Sequence, residues 1–268
     1  MPEVVVDGVR LNTSVLRGRG DPPADGPRPA VVMLHGLIID NLSSWYMTLA
    51  APVAQAGADV FLYDMRGHGR SETPDEGYTV GDNLADLVAL LDHWGLDRPV
   101  HLVGNSYGCL LALHLAHHHP ERVASLFLVE AHFATEGWGD HMAASLAFAA
   151  FGLDRDVVQE WLAEQGGRRV NRLARHSEHL FLRTSLIADL ESEAITPTAW
   201  LEAITCPTVA LYGSESDVLD RGEALARHVP GCELRIVADR THSLLTEETA
   251  RLRTELVAWL RDHGGLPT

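Results

Sequence analysis

The short apolar run Val100-His101-Leu102-Val103 ends in Gly104-Asn105-Ser106-Tyr107-Gly108 and passes without a spacer into the helical pattern Cys109-Leu110-Leu111-Ala112-Leu113. A strand that turns this sharply into a helix through G-x-S-x-G tolerates only glycine beside the central residue. The turn pushes the Ser106 hydroxyl outward at the end of a sheet. A serine hydroxyl is a weak nucleophile at neutral pH, so the elbow has chemical use only if the chain also supplies a base and an acid to orient it.

The remaining sequence supplies the sheet that such an elbow needs. Val4-Val5-Val6 and Val9-Arg10-Leu11 flank Asp7-Gly8, which suits a tight hairpin turn. Gly18–Pro29 is a Gly/Pro/Asp-rich loop with nothing to bury. Strand-like runs follow at Ala30–Leu34, Asp59–Tyr63, Val100–Val103, Val123–Val129, Thr208–Tyr212 and Glu233–Val237. Helix-like runs lie at Ser43–Ala56, Val80–Trp94, Tyr107–His118, Arg221–His228 and Thr246–His263. Nearly continuous apolar strands alternating with amphipathic helices predict a mostly parallel sheet covered on both faces, an α/β fold. The alternation stops between Ala131 and about Ala203, where helical segments follow one another with no strand between them. This predicts a core domain over 1–132 and 204–268, with a helical cap over 133–203 inserted after the sixth strand, across the sheet's C-terminal edge.

Composition narrows the partners. The 268 residues carry 21 basic against 37 acidic side chains, a formal net charge of −16, and contain no lysine. Such a surface repels a phosphate backbone, so nucleic acid is not expected as a partner. Cys109, Cys206 and Cys232 have no framework spacing and read as free thiols of a reducing cytoplasm. Met1-Pro2-Glu3 opens neither a basic nor an apolar leader, and no apolar stretch reaches membrane-spanning length, so a cytoplasmic protein without a membrane partner is expected.

In a parallel sheet with this elbow the chain order of the catalytic groups is Ser, then Asp or Glu, then His. Asp217 follows the strand Val209-Ala210-Leu211-Tyr212, and His242 follows the next strand, so both emerge at the edge where Ser106 lies. Glu215 and Glu130 compete for the acid role. The Gly213-x-x-x-Asp217 position favours Asp217, and Glu130 is expected to accept hydrogen bonds from the loop. His35-Gly36 closes the strand Val31-Val32-Met33-Leu34. The glycine lets the following loop turn towards the elbow, where the Leu37 amide would join that of Tyr107 in an oxyanion hole. One such donor is worth roughly 10²–10³ in turnover. His35 and Gly36 are also candidates for contact with substrate.

These residues resemble the α/β-hydrolase-fold family over nearly the whole chain. The likeness is carried by Leu34-His35-Gly36, the block Asp64-Met65-Arg66-Gly67-His68-Gly69-Arg70-Ser71, Gly104-Asn105-Ser106-Tyr107-Gly108, Asp217 and His242, in that order. The resemblance implies a Ser106–Asp217–His242 triad, no cofactor, and a structural role for the Asp64–Ser71 block. It disfavours epoxide hydrolase or dehalogenase chemistry, because those relatives carry Asp at the elbow where this chain has Ser106. The loop Asp40-Asn41-Leu42-Ser43-Ser44-Trp45 and the Ala/Arg-rich composition further resemble hydrolase-fold proteins of actinobacterial polyketide pathways. The function this implies is cleavage of an ester or thioester of an apolar, polyketide-like metabolite, with cyclisation or acyl transfer if an internal nucleophile replaces water. A lyase-like use of the same scaffold is the alternative, and a hormone-receptor-like binding module is the third.

Other features have plainer readings. His114, His117, His118 and His119 close a helix before Pro120, where histidines suit the helix dipole, so no metal is expected. Leu146, Phe148 and Phe151 of the cap either line a lipophilic pocket or pack on the core. Arg168, Arg169, Arg172 and Arg175 form a basic stretch in an acidic chain. They read as a solvated helix face or as a dock for an acidic acyl carrier protein.

Overall fold

Asp7 and Gly8 both take positive φ, 47° and 84°, and so close the first hairpin with the left-handed turn that matches strand twist. The computed structural model describes residues 3–22, 26–152 and 168–266, with side chains described outside 148–175. Eight strands form one sheet: β1 (Glu3–Val6), β2 (Val9–Leu16), β3 (Ala30–Leu34), β4 (Asp59–Tyr63), β5 (Val100–Asn105), β6 (Val123–Val129), β7 (Thr208–Gly213) and β8 (Glu233–Val237). Their spatial order is β1-β2-β4-β3-β5-β6-β7-β8. The β1–β2 and β2–β4 pairs are antiparallel, and every other pair is parallel.

The α-helices among the described residues are α1 (Leu42–Trp45), α2 (Ala51–Gln55), α3 (Val80–His93), α4 (Tyr107–His118), α5 (Trp138–Gly152), α6 (Arg168–Arg183), α7 (Leu186–Glu191), α8 (Thr198–Glu202), α9 (Leu219–His228), α10 (Leu244–Glu247) and α11 (Thr249–Asp262). A π-helical stretch, Tyr46–Ala50, joins α1 to α2. The sequence reads one helix from 43 to 56, and the extra residue per turn in its middle is not visible in an apolar period. Likewise the segment read as one helix from Thr246 divides at Glu248, whose φ of −127° lies outside the helical range. Helix α3 begins with a reciprocal capping box, Thr79 with Asp82.

Strand side chains alternate between two cores. Val32, Leu34, Leu126 and Leu128 face α3 and α4, while Val31, Met33, Phe127 and Val129 face α2 and α11. That is why these strands read as unbroken apolar runs. Helix α4 runs beneath the centre of the sheet and is buried from Tyr107 to Ala116, so its sequence is apolar all round.

The described helices between β6 and β7 are α5 to α8, with no strand among the described residues there. They are anchored on the core: the Tyr78 amide donates to Asp189, His176 Nε2 donates to the Gly67 carbonyl at 2.7 Å, and Leu180 is fully buried. His117 stacks on Trp200 of α8 at 4.3 Å, and His114 and His118 meet the same indole edge-on. The histidine cluster is therefore a packing surface for the inserted helices. The side chains of Phe148, Phe151, Arg168, Arg169, Arg172 and Arg175 lie outside the described residues.

Candidate active site

Ser106 has φ 53° and ψ −117°, a strained conformation for a residue with a Cβ. The flanking glycines permit it. A Cβ on Gly108 would stand 2.2 Å from the Leu34 carbonyl oxygen, and one on Gly104 would stand 2.7 Å from the Cys109 nitrogen. Both contacts are with backbone and cannot relax, so strand, turn and helix close up only with glycine at both positions. The strain points the hydroxyl at His242, whose Nε2 lies 3.1 Å from Ser106 Oγ.

The acid side of the imidazole departs from the expected arrangement. Glu130 Oε2 lies 3.3 Å from His242 Nδ1, whereas Asp217 Oδ1 lies 3.9 Å away. The Glu130 side chain is fully buried and that of Asp217 is 58% exposed. Glu130 is also held from two sides: its Oε1 accepts from the Gly213 amide at 2.6 Å and its Oε2 from the Ser216 hydroxyl at 2.5 Å. It accepts hydrogen bonds from the β7 loop, as the sequence suggests, and in addition faces the imidazole. Its φ is 54°, a second strained residue at the end of the strand beside the elbow. The sequence favours Asp217 as the acid of the triad, and the structure brings both carboxylates to the Nδ1 edge with Glu130 the nearer. Glu130 reaches the ring because the end of β6 lies next to β5, which carries Ser106.

Asp217 turns its other oxygen to the inserted helices: Oδ2 lies 3.6 Å from Nε2 of His141 on α5. A third imidazole, His132, packs its ring 5.1 Å from that of His242 and 6.0 Å from that of His141. Burial, reinforced by its neighbours His242, His141 and Arg221, pushes the His132 pKa well down and keeps the ring neutral.

The Leu37 and Tyr107 amides donate no hydrogen bond to any described residue and are free to receive an oxyanion. Tyr107 opens α4, whose N-terminus adds favourable dipole. The loop carrying Leu37 is riveted by two histidines. The Met65 amide donates to His35 Nε2 at 2.9 Å, and His35 Nδ1 donates to the Gly36 carbonyl at 2.6 Å. The Ile38 amide donates to His68 Nε2 at 2.8 Å, and His68 Nδ1 donates to the Arg66 carbonyl at 2.9 Å. Each ring accepts at Nε2 and so carries its proton on Nδ1. His35 is fully buried with both nitrogens occupied, so its expected contact with substrate is corrected to a role inside the loop. Burial foremost, then His35, lowers the His68 pKa to about 3.

Asp40 completes the support, and sequence reasoning passed over its role. Its Oδ2 accepts from the Gly36 amide at 2.7 Å and from the Asn105 side chain at 3.1 Å, and its Oδ1 from the Asn41 amide and the Ser44 hydroxyl. An Asp just before a helix N-cap, four residues past a His-Gly strand end, was the available signal. Asp64 likewise accepts from the Leu42 and Arg70 amides and from the Asn12 side chain, which accounts for the structural block around it.

A cavity of about 480 Å³ opens onto Ser106. Gly36, Leu37, Asp40, His132 and His242 line it from the core, and His141, Met142, Ser145 and Leu146 line it from α5. Ile39 and Met47 line it as well, and both are largely exposed. Among the described residues no group of three or more His, Cys, Asp or Glu side chains is arranged to hold a metal ion. No described helix is long and apolar enough to cross a membrane.

A mostly parallel sheet with a serine on a strained elbow, an imidazole within hydrogen-bond reach of it and carboxylates behind that ring, all at the C-terminal edge of an α/β core, is the architecture of an α/β hydrolase. The chain belongs to the alpha/beta hydrolase fold family, whose model matches residues 29–225. It is 44% identical over 110 residues to RutD of Variovorax paradoxus strain S110, whose name describes a carbamate hydrolase, covering 41% of this chain and 40% of that one. It is 30% identical over 157 residues to epoxide hydrolase B of Mycobacterium tuberculosis, covering 55% and 43%. The matches therefore span about two fifths of the length of these curated relatives. Among solved structures, Est816, described as an N-acyl homoserine lactone degrading enzyme, superposes with a TM-score of 0.73 at 27% identity, over 96% of this chain and 100% of that one.

Proposed function

We propose that this protein is a serine esterase acting on esters or thioesters of apolar metabolites, with Ser106 as nucleophile, His242 as base and Glu130 as orienting acid. The observation that carries the reading is the 3.1 Å contact between Ser106 Oγ and His242 Nε2 at the edge of an otherwise mainly apolar cavity. Ser106 Oγ attacks the carbonyl carbon as its proton passes to His242 Nε2. The Leu37 and Tyr107 amides receive the negative oxygen, and Glu130 holds the imidazolium by its Nδ1 edge. The leaving alcohol or thiol takes the proton from Nε2. Water, deprotonated by the same nitrogen, then releases the acid and restores Ser106.

The helices of 133–203 act in this reading as a cap that supplies the apolar wall, Met142 and Leu146 included. Polyketide-derived esters enter the substrate class on the strength of the Asp40–Trp45 loop resemblance. The epoxide hydrolase relative is a poor guide to chemistry here, since an elbow serine forms an acyl-enzyme by the route above and an elbow aspartate cannot.

The test is treatment with a fluorophosphonate followed by intact-mass analysis, alongside hydrolysis of p-nitrophenyl esters. One adduct on Ser106, absent in Ser106→Ala, with loss of esterase activity in that variant, is the expected result. Turnover surviving Ser106→Ala while His242→Ala abolishes it would place the chemistry in the lyase-like class, and ligand binding without adduct or turnover would make it a binding module.

A further inference from the structure

We propose that Asp217, the acidic residue after β7, is a positioning residue that ties the cap helix α5 to the catalytic imidazole through His141, and so sets the apolar wall that selects the substrate chain. This rests on the serine-esterase reading above.

The two oxygens of Asp217 face two different rings. Oδ2 lies 3.6 Å from Nε2 of His141 on α5, and Oδ1 lies 3.9 Å from Nδ1 of His242 on the loop after β8. The nearer place behind His242 is already taken by Glu130 at 3.3 Å, buried and held by Gly213 and Ser216. A carboxylate that is 58% exposed and second in distance adds little to the orientation of His242. It is, however, the described carboxylate within ion-pair distance of a cap side chain and the catalytic ring at once.

Its leverage comes from helix geometry. Met142, Ser145 and Leu146 lie one, four and five residues beyond His141, so they share its turn and the next, and all line the cavity with it. Fixing the His141 ring therefore fixes where the side chains of Met142 and Leu146 stand relative to Ser106. His132 fills the angle between His141 and His242 as a neutral, buried ring, so among the described residues the tether on the core side is made by Asp217. The ligand class this favours is an ester whose apolar chain is long enough to reach α5. A short acyl group does not touch that wall and does not sense the tether.

The experiment is a double-mutant cycle with Asp217→Asn, His141→Gln and the pair, read with p-nitrophenyl octanoate and p-nitrophenyl acetate. Each single variant is expected to raise KM for the octanoate about threefold to fivefold, the scale of a partly exposed polar contact, with little change in kcat on either ester. The double variant is expected to be no worse than the single ones, because both remove the same contact. Asp217→Glu, which keeps the charge, should recover part of the octanoate KM. Circular dichroism and the fluorophosphonate labelling rate of Ser106 establish that the variants are folded and the nucleophile intact.

Loss of kcat by about 10³ or more in Asp217→Asn on both esters would overturn the proposal and return Asp217 to the triad. Additive KM effects in the double variant would overturn it too, since the two residues would then act independently. Failure of Ser106 to label in the unmodified protein would instead strike at the esterase reading, and that outcome is distinct from either.

Discussion

Replacing Glu130 by Gln tests the carboxylate assignment with almost no change in volume. The Gly213 amide, fixed in the backbone, points its proton at Oε1 from 2.6 Å and requires an oxygen there. In Glu130→Gln the amide nitrogen must therefore occupy the Oε2 position, 3.3 Å from His242 Nδ1. The Ser216 hydroxyl at that oxygen can rotate and accept instead, so it does not oppose the exchange. An N–H facing Nδ1 turns His242 to the tautomer protonated on Nε2, which cannot accept the Ser106 proton. Wrong-tautomer variants of such triads lose roughly 10⁴ in kcat, so a fall of about 10³–10⁴, or about 4–5.5 kcal/mol in the barrier, is expected. The assay is kcat for p-nitrophenyl acetate in Glu130→Gln and Asp217→Asn, with thermal melts to show that both fold. Retention of activity within about tenfold by Glu130→Gln, with collapse in Asp217→Asn, would refute the argument from Gly213 and the orienting role together.

Acid should destabilise the fold through its buried neutral histidines. The pKa of His68 is lowered to about 3 and those of His101 and His114 to about 4, in each case foremost by burial. The unfolded chain takes up protons near 6.5 while the folded rings stay neutral, so the stabilisation is complete above about pH 6.5 and is lost as pH falls towards 4 and 3. Each ring removes about 1.4 kcal/mol per pH unit in that window, an upper bound that urea melts at pH 7 and pH 5 would check. A stability that is flat across that range would refute it. Asp40→Ala should leave the fold intact but free the Gly36 amide and the Leu37 loop, lowering kcat by about 10² with small change in KM, as losing one oxyanion donor does. Unaltered kcat would show that the loop holds without its carboxylate. Reversing Arg168, Arg169, Arg172 and Arg175 to Glu distinguishes their two readings. Slower turnover of a carrier-bound thioester with free ester unaffected is expected of a docking face, and equal turnover of both is expected of a solvated one.

Much of the architecture was legible because it depends on local patterns. Ala30–Leu34, Asp59–Tyr63, Val123–Val129 and Glu233–Val237 coincide with strands end for end, and Tyr107–His118 coincides with a helix. Apolar runs bounded by turns carry that information. The Ser106 and His242 positions were legible for the same reason, each standing just past a readable strand. Which carboxylate faces His242 was not legible, because it depends on a distance between two strand ends. Glu130 follows β6 directly and Asp217 stands four residues past Gly213 at the end of β7, and a difference between 3.3 and 3.9 Å has no counterpart in that spacing. His35 was misread because a histidine beside an oxyanion loop has the same sequence signature whether its ring faces the cavity or the interior. The π-helical stretch at Tyr46–Ala50 left no trace in the apolar period at all.

The riveting of the Leu37 loop by two imidazoles makes the protein's readiness to react depend on rings that never meet a reactant. His35 and His68 each clasp a main-chain amide through a lone pair, and burial keeps the His68 lone pair free of a proton down to about pH 3. The bend that carries the Leu37 amide is therefore held from the interior by a clasp that mild acid does not open.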